Sequence, residues 1–120
     1  MAAGEGQVIG CHTMESWNEN LRKGSDSQKL IVVDFTASWC GPCRFMAPIF
    51  EELARKKPDA IFLKVDVDEL PAVAEEWEVE AMPSFILLKG GKLVDRVVGA
   101  SKNALVNLVD KYASPPVVSA

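Results

Sequence analysis

The sequence lacks both a long hydrophobic run and an excess of basic residues. None of its apolar stretches approaches the roughly 20 residues that a membrane-spanning helix needs, so we expect no membrane segment. Lysine and arginine number 13 against 17 aspartates and glutamates, which gives a net charge of −4. A protein that binds nucleic acid usually carries a basic patch that neutralises phosphates. We therefore expect no nucleic-acid partner.

Cysteine and histidine are also scarce, with three cysteines and one histidine among 120 residues. Three cysteines are too few for the disulfide framework of a secreted domain. Residues 1–7 carry neither the basic stretch nor the apolar stretch of a secretory signal. We therefore expect a cytoplasmic protein in a reducing compartment.

The remaining composition is that of a globular protein. Apolar residues make up 48% and charged residues 25% of the chain, and the length suits one domain. Small residues dominate at both ends, and the Pro-Pro pair at 115–116 cannot continue a helix. We therefore predict a single domain over residues 1–120, with flexible tails at 1–7 and 114–120.

Apolar periodicity and turn residues predict nine elements in the order β-α-β-α-β-α-β-β-α. The predicted strands are 8–11, 30–35, 60–66, 84–88 and 92–98, and a Gly-Gly turn joins the last two. The predicted helices run from a cap at Thr13 to near Gly24, over 43–57, over 68–77, and onward from a cap at Ser101. Strands that alternate with helices favour an α/β fold whose mostly parallel sheet ends in an antiparallel hairpin.

The second predicted helix has an apolar face. Phe45, Ile49, Phe50 and Leu53 recur at helical spacing, which predicts that all four pack against the core. Pro48 lies inside this helix and is expected to kink it, because proline removes a backbone hydrogen bond.

The segment Trp39-Cys-Gly-Pro-Cys43 is the most informative part of the sequence. It lies where a buried strand ends and a helix begins, so the unpaired N–H groups of the helix start favour a thiolate at Cys40. Cys43 lies one turn further on and is expected to be better shielded. Gly41 allows a substrate backbone to come close, and Pro42 stiffens the first turn. An exposed attacking thiol beside a resolving thiol is what thiol–disulfide exchange requires.

Two other interpretations of the cysteine pair remain open at this point. A Cys-x-x-Cys pair can form half of a zinc site, although the spare ligands, Cys11 and His12, are adjacent and expected on opposite faces of a strand. The two thiols can also be structural and inert. A c-type haem is excluded because Arg44, not histidine, follows Cys43. We expect no metal site and no cofactor.

A carboxylate interrupts the second predicted strand. Asp34 stands between Val33 and Phe35, where an ionised side chain is costly unless it is neutral or paired. We therefore expect desolvation to raise the pKa of Asp34 above its usual ~3.9. Lys64 can be an ordinary surface lysine or a partner of this carboxylate, and the sequence favours neither.

The sequence resembles the thioredoxin family, and most of all the plant h-type (cytosolic) thioredoxins. The similarity covers residues 8–113 and rests on Val33-Asp-Phe35, Trp39-Cys-Gly-Pro-Cys43, Ala47-Pro48, Lys64-Val-Asp66, Ala81-Met-Pro83 and Val98-Gly99. Thr36-Ala-Ser38 also resembles the h-type members. The resemblance implies the thioredoxin fold, a central five-stranded mixed sheet in the order 1-3-2-4-5 flanked by four helices.

The resemblance also implies roles for single residues. Cys40 matches the attacking cysteine and Cys43 the resolving one, and the two form the redox disulfide. Asp34 matches a carboxylate that relays a proton to or from Cys43, and Lys64 matches the basic residue that tunes it. The implied substrate-binding rim comprises Trp39, Met82, Pro83, Val98, Gly99 and Ala100, with a cis bond before the proline.

The third cysteine lies outside this motif. We expect Cys11, in a short strand, to be a small hydrophobe. The alternative is a regulatory role, including a disulfide between two chains, if its thiol is exposed.

These observations predict a protein-disulfide reductase. The resemblance implies that its partners are disulfide-containing proteins and an NADPH-dependent thioredoxin reductase, and we expect mainly a monomer. A disulfide isomerase or oxidase domain is one alternative, against which Pro42 and the absence of a signal argue. A non-catalytic chaperone or interaction protein that uses the apolar rim is the other.

Overall fold

A five-stranded mixed sheet forms the centre of the computed structural model, which describes residues 6–113. The strands are β1 (Val8–Cys11), β2 (Ile31–Thr36), β3 (Ile61–Asp66), β4 (Ser84–Lys89) and β5 (Lys92–Val98). Their order is β1-β3-β2-β4-β5, with β1, β3 and β2 parallel and the β4–β5 hairpin antiparallel. This confirms the predicted fold. Of the predicted tails, residues 1–5 and 114–120 lie outside the described residues.

Four helices cover the two faces of the sheet. They are α1 (Met14–Ser27), α2 (Gly41–Lys56), α3 (Pro71–Glu76) and α4 (Lys102–Ala113). Successive strand residues point to opposite faces, so β2 contributes Val33 to the core beneath α1 and α3 and Val32 to the core beneath α2 and α4. Every residue of β2 is buried, which explains its nearly continuous apolar sequence. None of the described helices is long and apolar enough to cross a membrane.

The helix caps predicted at Thr13 and Ser101 are confirmed. The Thr13 hydroxyl accepts a hydrogen bond from the Ser16 N–H at 3.1 Å, and the Ser101 hydroxyl accepts one from the Ala104 N–H at 3.2 Å. The prediction that α1 ends near Gly24 is wrong, because the helix continues to Ser27. Gly24 is buried, and a Cβ there would collide with the side chain of Ile31. The absence of a side chain at Gly24 therefore allows α1 to pack closely on β2.

Two other expectations about helices need correction. The third helix begins at Pro71 and not at 68, because the Asp66 carboxylate accepts a hydrogen bond from the Asp68 N–H and forms a turn there. Phe45 is 61% exposed, so its predicted burial is wrong. The buried face of α2 instead contains Cys43, Met46, Phe50, Leu53 and Ala54. Phe45 lies about 100° around the helix from Met46 and so points away from the core.

Candidate active site

A disulfide between Cys40 and Cys43 lies at the N-terminus of α2, with the two Cα atoms 5.3 Å apart. Cys40 caps the helix in an extended conformation, and Gly41 and Pro42 fill the first turn. The Cys43 N–H donates a hydrogen bond to the Cys40 sulfur at 3.2 Å. When the disulfide is reduced, this N–H and the helix dipole favour negative charge on Cys40.

The two cysteines are equally buried. Each is 4% exposed, so the predicted difference in exposure is wrong for the oxidised protein. The asymmetry lies instead in the helix: Cys40 occupies the N-cap, whereas Cys43 lies within the first turn. On its other side, the Cys40 sulfur is 3.6 Å from the carbonyl oxygen of Met82. Position at the helix N-terminus therefore distinguishes the two cysteines, whereas their exposure to solvent does not.

The chain segment opposite the disulfide is the turn into β4. The Met82–Pro83 peptide bond is cis, and Met82 packs against the cysteine pair. The Gly99 N–H donates to the Pro83 carbonyl at 2.9 Å, which brings the end of β5 to the same place. Gly99 has a φ of +107°, a conformation that residues with a side chain rarely adopt. The fold therefore assembles three segments, distant in sequence, at one end of the sheet.

Five of the six predicted rim residues reach the surface around this end of the sheet, whereas Pro83 is buried. Trp39 is 65% exposed, Val98 and Ala100 are exposed, and Met82 is half-buried. The Trp39 indole N–H donates to the Asp68 carboxylate at 3.0 Å. The sequence analysis did not single out Asp68, and its only local signal is the Asp-x-Asp that follows β3. Asp68 fixes the orientation of the Trp39 ring, one residue before Cys40.

Asp34 is buried in the middle of the sheet. Its side chain is 2% exposed, and one carboxylate oxygen has no hydrogen-bond partner among the described residues. Burial raises the pKa of Asp34 to about 7, and the positive charge of Lys64, its register neighbour in β3, opposes this rise in part. The predicted direction of the pKa shift is thus confirmed. The Lys64 side chain is exposed.

A shallow cavity lies beside the disulfide. It has a volume of about 310 Å³, and both Cys43 and Lys64 line it. Lys64 is also the register neighbour of Asp34 in the sheet. The cavity therefore brings Cys43 and the lysine next to the buried carboxylate to one region of the surface.

The remaining cysteine and the histidine lie away from the disulfide. Cys11 is fully buried in β1, and this burial raises the pKa of its thiol. His12 is exposed and lies 2.9 Å from the Glu69 carboxylate. Within residues 6–113 no group of three or more metal-ligating side chains occurs. Because Cys11 is fully buried, its thiol lacks the exposure that a disulfide between two chains requires.

Known proteins match this chain over nearly its whole length. The family model described as Thioredoxin matches residues 8–111. A thioredoxin H-type of Ricinus communis is 65% identical over 112 residues, which are 93% of this chain and 95% of that protein. Thioredoxin H1 of Arabidopsis thaliana is 59% identical over 112 residues, covering 93% of this chain and 98% of that protein. Among solved structures, thioredoxin NaTrxh from Nicotiana alata has a TM-score of 0.86 at 45% identity and covers 93% of this chain and 97% of that one.

Proposed function

This chain belongs to the thioredoxin family, and from that premise we propose that it reduces disulfides in other proteins and is itself re-reduced by an NADPH-dependent thioredoxin reductase. The family and the cysteine pair make it a protein-disulfide oxidoreductase with disulfide-containing targets. The proposal concerns the direction of exchange and the source of electrons. Its main support is the likeness to the plant h-type thioredoxins, and the backbone N–H directed at the Cys40 sulfur supports attack by that thiol.

The reaction proceeds in two exchanges. The Cys40 thiolate attacks one sulfur of the target disulfide, a mixed disulfide forms, and the other target sulfur leaves as a thiolate. Cys43 then loses its proton and attacks the Cys40 sulfur. The second target sulfur leaves, the Cys40–Cys43 disulfide forms, and two electrons have passed to the target. The short separation of the two cysteines supports the rapid second step.

Asp34 acts as the proton acceptor for the second exchange. A carboxyl whose pKa is about 7 takes and returns a proton readily at neutral pH. Lys64 holds this pKa below the value that burial alone would give. One oxygen of this buried carboxyl has no hydrogen-bond partner among the described residues, which leaves it free to accept a proton.

The target docks as an extended segment on the rim. The Met82 carbonyl lies beside the Cys40 sulfur, so a target sulfur that reaches Cys40 must pass this backbone. Val98, Gly99 and Ala100 extend the same surface, the buried Pro83 lies next to them, and Trp39 is the surface's most exposed aromatic side chain. Gly41 and Pro42 keep the helix start narrow enough for a backbone to approach.

We also propose that the protein is a single domain, mainly monomeric and cytoplasmic. The scarcity of cysteine outside the redox pair supports a reducing compartment. The two cores on the faces of one sheet support a single folding unit.

Insulin reduction coupled to NADPH consumption tests the proposal. With purified thioredoxin reductase, the wild-type protein should consume NADPH as insulin is reduced, whereas Cys40→Ser and Cys43→Ser should not sustain turnover. Cys11→Ser is the matched control and should keep the wild-type rate. Turnover that survives Cys40→Ser would refute the proposal. Oxidation of reduced targets in place of reduction would favour the isomerase or oxidase alternative.

A further inference from the structure

An apolar stripe runs along the outer side of α2, starting between the two redox cysteines. It consists of Pro42, Phe45, Pro48 and Ile49. Phe45 lies three residues after Pro42, and Pro48 and Ile49 lie three and four residues after Phe45, so the four share one helix face. Phe45, Pro42 and Pro48 are exposed, and Ile49 is half-buried. Single exposed apolar residues are common, but a continuous stripe beside a reactive pair indicates a contact surface. The function proposed above uses only Pro42 of this stripe.

The stripe continues into a groove between α2 and α4. The groove has a volume of about 470 Å³, and Leu53 and Val106 contribute apolar side chains to it. About eleven residues separate Pro42 from Leu53, which corresponds to roughly 16 Å along the helix. A small disulfide at Cys40 is too short to reach the groove, whereas a protein partner can cover both.

The charges at the edge of this groove are mainly positive. Lys56, Lys57 and Lys102 line it together with Glu52 and Asp110, an excess of one positive charge on a chain whose net charge is −4. Lys56 lies 3.7 Å from Glu52 and Lys57 lies 2.9 Å from Asp110. Lys102 has no ion-pair partner among residues 6–113. An acidic side chain from outside would complement it.

We propose that the stripe and the groove form a second docking surface for the target protein, which occupies them with an apolar segment that carries acidic side chains. The proposal rests on the proposed function, because the occupant is the molecule whose disulfide Cys40 attacks. Three features identify this occupant: the apolar floor, the Lys102 ammonium, which pairs with no acidic side chain in the described part of the chain, and the continuity of the stripe with Pro42. A second copy of the chain fits less well, since it would bring two positively charged groove edges together.

Three synthetic peptides with the same disulfide loop test this surface. The first contains the loop alone, the second adds a segment of leucines and glutamates long enough to cover the groove, and the third replaces the glutamates by lysines. With the wild-type protein, the leucine–glutamate peptide should have a KM about fivefold lower than the loop alone, and the lysine peptide should gain much less. Phe45→Ala should remove most of the gain, and Lys102→Glu should reverse the preference between the two long peptides.

Two control variants separate the docking surface from general effects. Met14→Ala removes a large apolar residue, 42% exposed, from α1 on the opposite face of the sheet, and Lys92→Glu reverses an exposed charge at the start of β5. Both should keep the wild-type order of KM values. Alanine suits a helix, so Phe45→Ala should fold.

The possible failures can be told apart. If Phe45→Ala and Lys102→Glu keep the wild-type KM values for both long peptides while the loop peptide is reduced, the docking surface is wrong and the proposed function stands. The docking surface is also wrong if Phe45→Ala slows reduction of the loop peptide as much as that of the long ones, or if sedimentation shows a dimer of the wild-type protein that Phe45→Ala abolishes. If the wild-type protein reduces none of the peptides, the proposed function itself fails.

Discussion

Replacing Asp34 by alanine should stabilise the oxidised protein at alkaline pH and destabilise it at acidic pH. The carboxyl is buried, and its pKa rises from 3.8 to about 7 on folding. Between these two values the folded state holds more protons than the unfolded state, so the free energy of unfolding falls as pH rises. The stabilisation that protonated Asp34 contributes is present in full below pH 3.8 and is lost by about pH 7.

The magnitude follows from the size of the pKa shift. A shift of about three units, at about 1.4 kcal/mol per unit, makes the ionised Asp34 cost roughly 4 kcal/mol near pH 8. Alanine removes this cost but leaves a small cavity, which destabilises by roughly 1 kcal/mol. Asp34→Ala should therefore be about 3 kcal/mol more stable than the wild type near pH 8 and about 1 kcal/mol less stable near pH 3.

Urea unfolding of the oxidised proteins at the two pH values measures this change of sign. The oxidised form keeps the disulfide intact, so Cys40 and Cys43 do not titrate. Asp59→Ala, which removes an exposed carboxylate, is the matched control and should show little pH-dependent difference from the wild type. An Asp34→Ala protein whose stability differs from the wild type by the same amount at both pH values would refute the burial argument.

Three further predictions concern the cysteines and the rim. Limited treatment of the reduced protein with iodoacetamide should modify Cys40 before Cys43 or Cys11, because the helix N-terminus favours the Cys40 thiolate. Peptide mapping gives the order of labelling, and faster labelling of Cys43 would reverse the roles of the two cysteines. Met82→Glu should raise the KM for insulin about tenfold, with a smaller effect on a low-molecular-weight disulfide; an unchanged KM would argue against the rim. Native oxidised protein should form no dimer through Cys11, which is fully buried; a dimer on non-reducing gels that Cys11→Ser removes would contradict this.

The sequence predicted the strands well because burial imposes a clear pattern on them. The bounds of β1 and β5 agree with the prediction, and β2 differs by one residue at each end, since a strand covered on both faces must be apolar throughout. Helix packing was harder to predict. Gly24 suggested a helix end but allows close packing against Ile31, and Phe45 looked like a core residue but is exposed. Helical spacing alone leaves the exact orientation of such an edge position open.

The candidate site also contains residues that local sequence predicts and residues that only the folded structure brings together. The cysteine pair follows from local spacing and the helix start, so Cys40 and Cys43 could be identified from one segment. The positions of Met82 and Gly99 beside that pair depend on the folded sheet, and the sequence offered them only through a resemblance. The hydrogen bond from Trp39 to Asp68 joins residues 29 apart, and neither the local sequence nor the resemblance indicates that these two side chains meet.

The central claim is that Cys40 attacks the target and Cys43 resolves the intermediate. Mass spectrometry of Cys43→Ser protein mixed with a disulfide-bonded peptide tests it most directly, because the second exchange is then blocked. We expect one covalent peptide adduct, located on Cys40 by fragmentation and released by dithiothreitol. A Cys43→Ser protein that forms no adduct while its Cys40 is reduced, or one that carries the peptide on Cys11, would contradict the account.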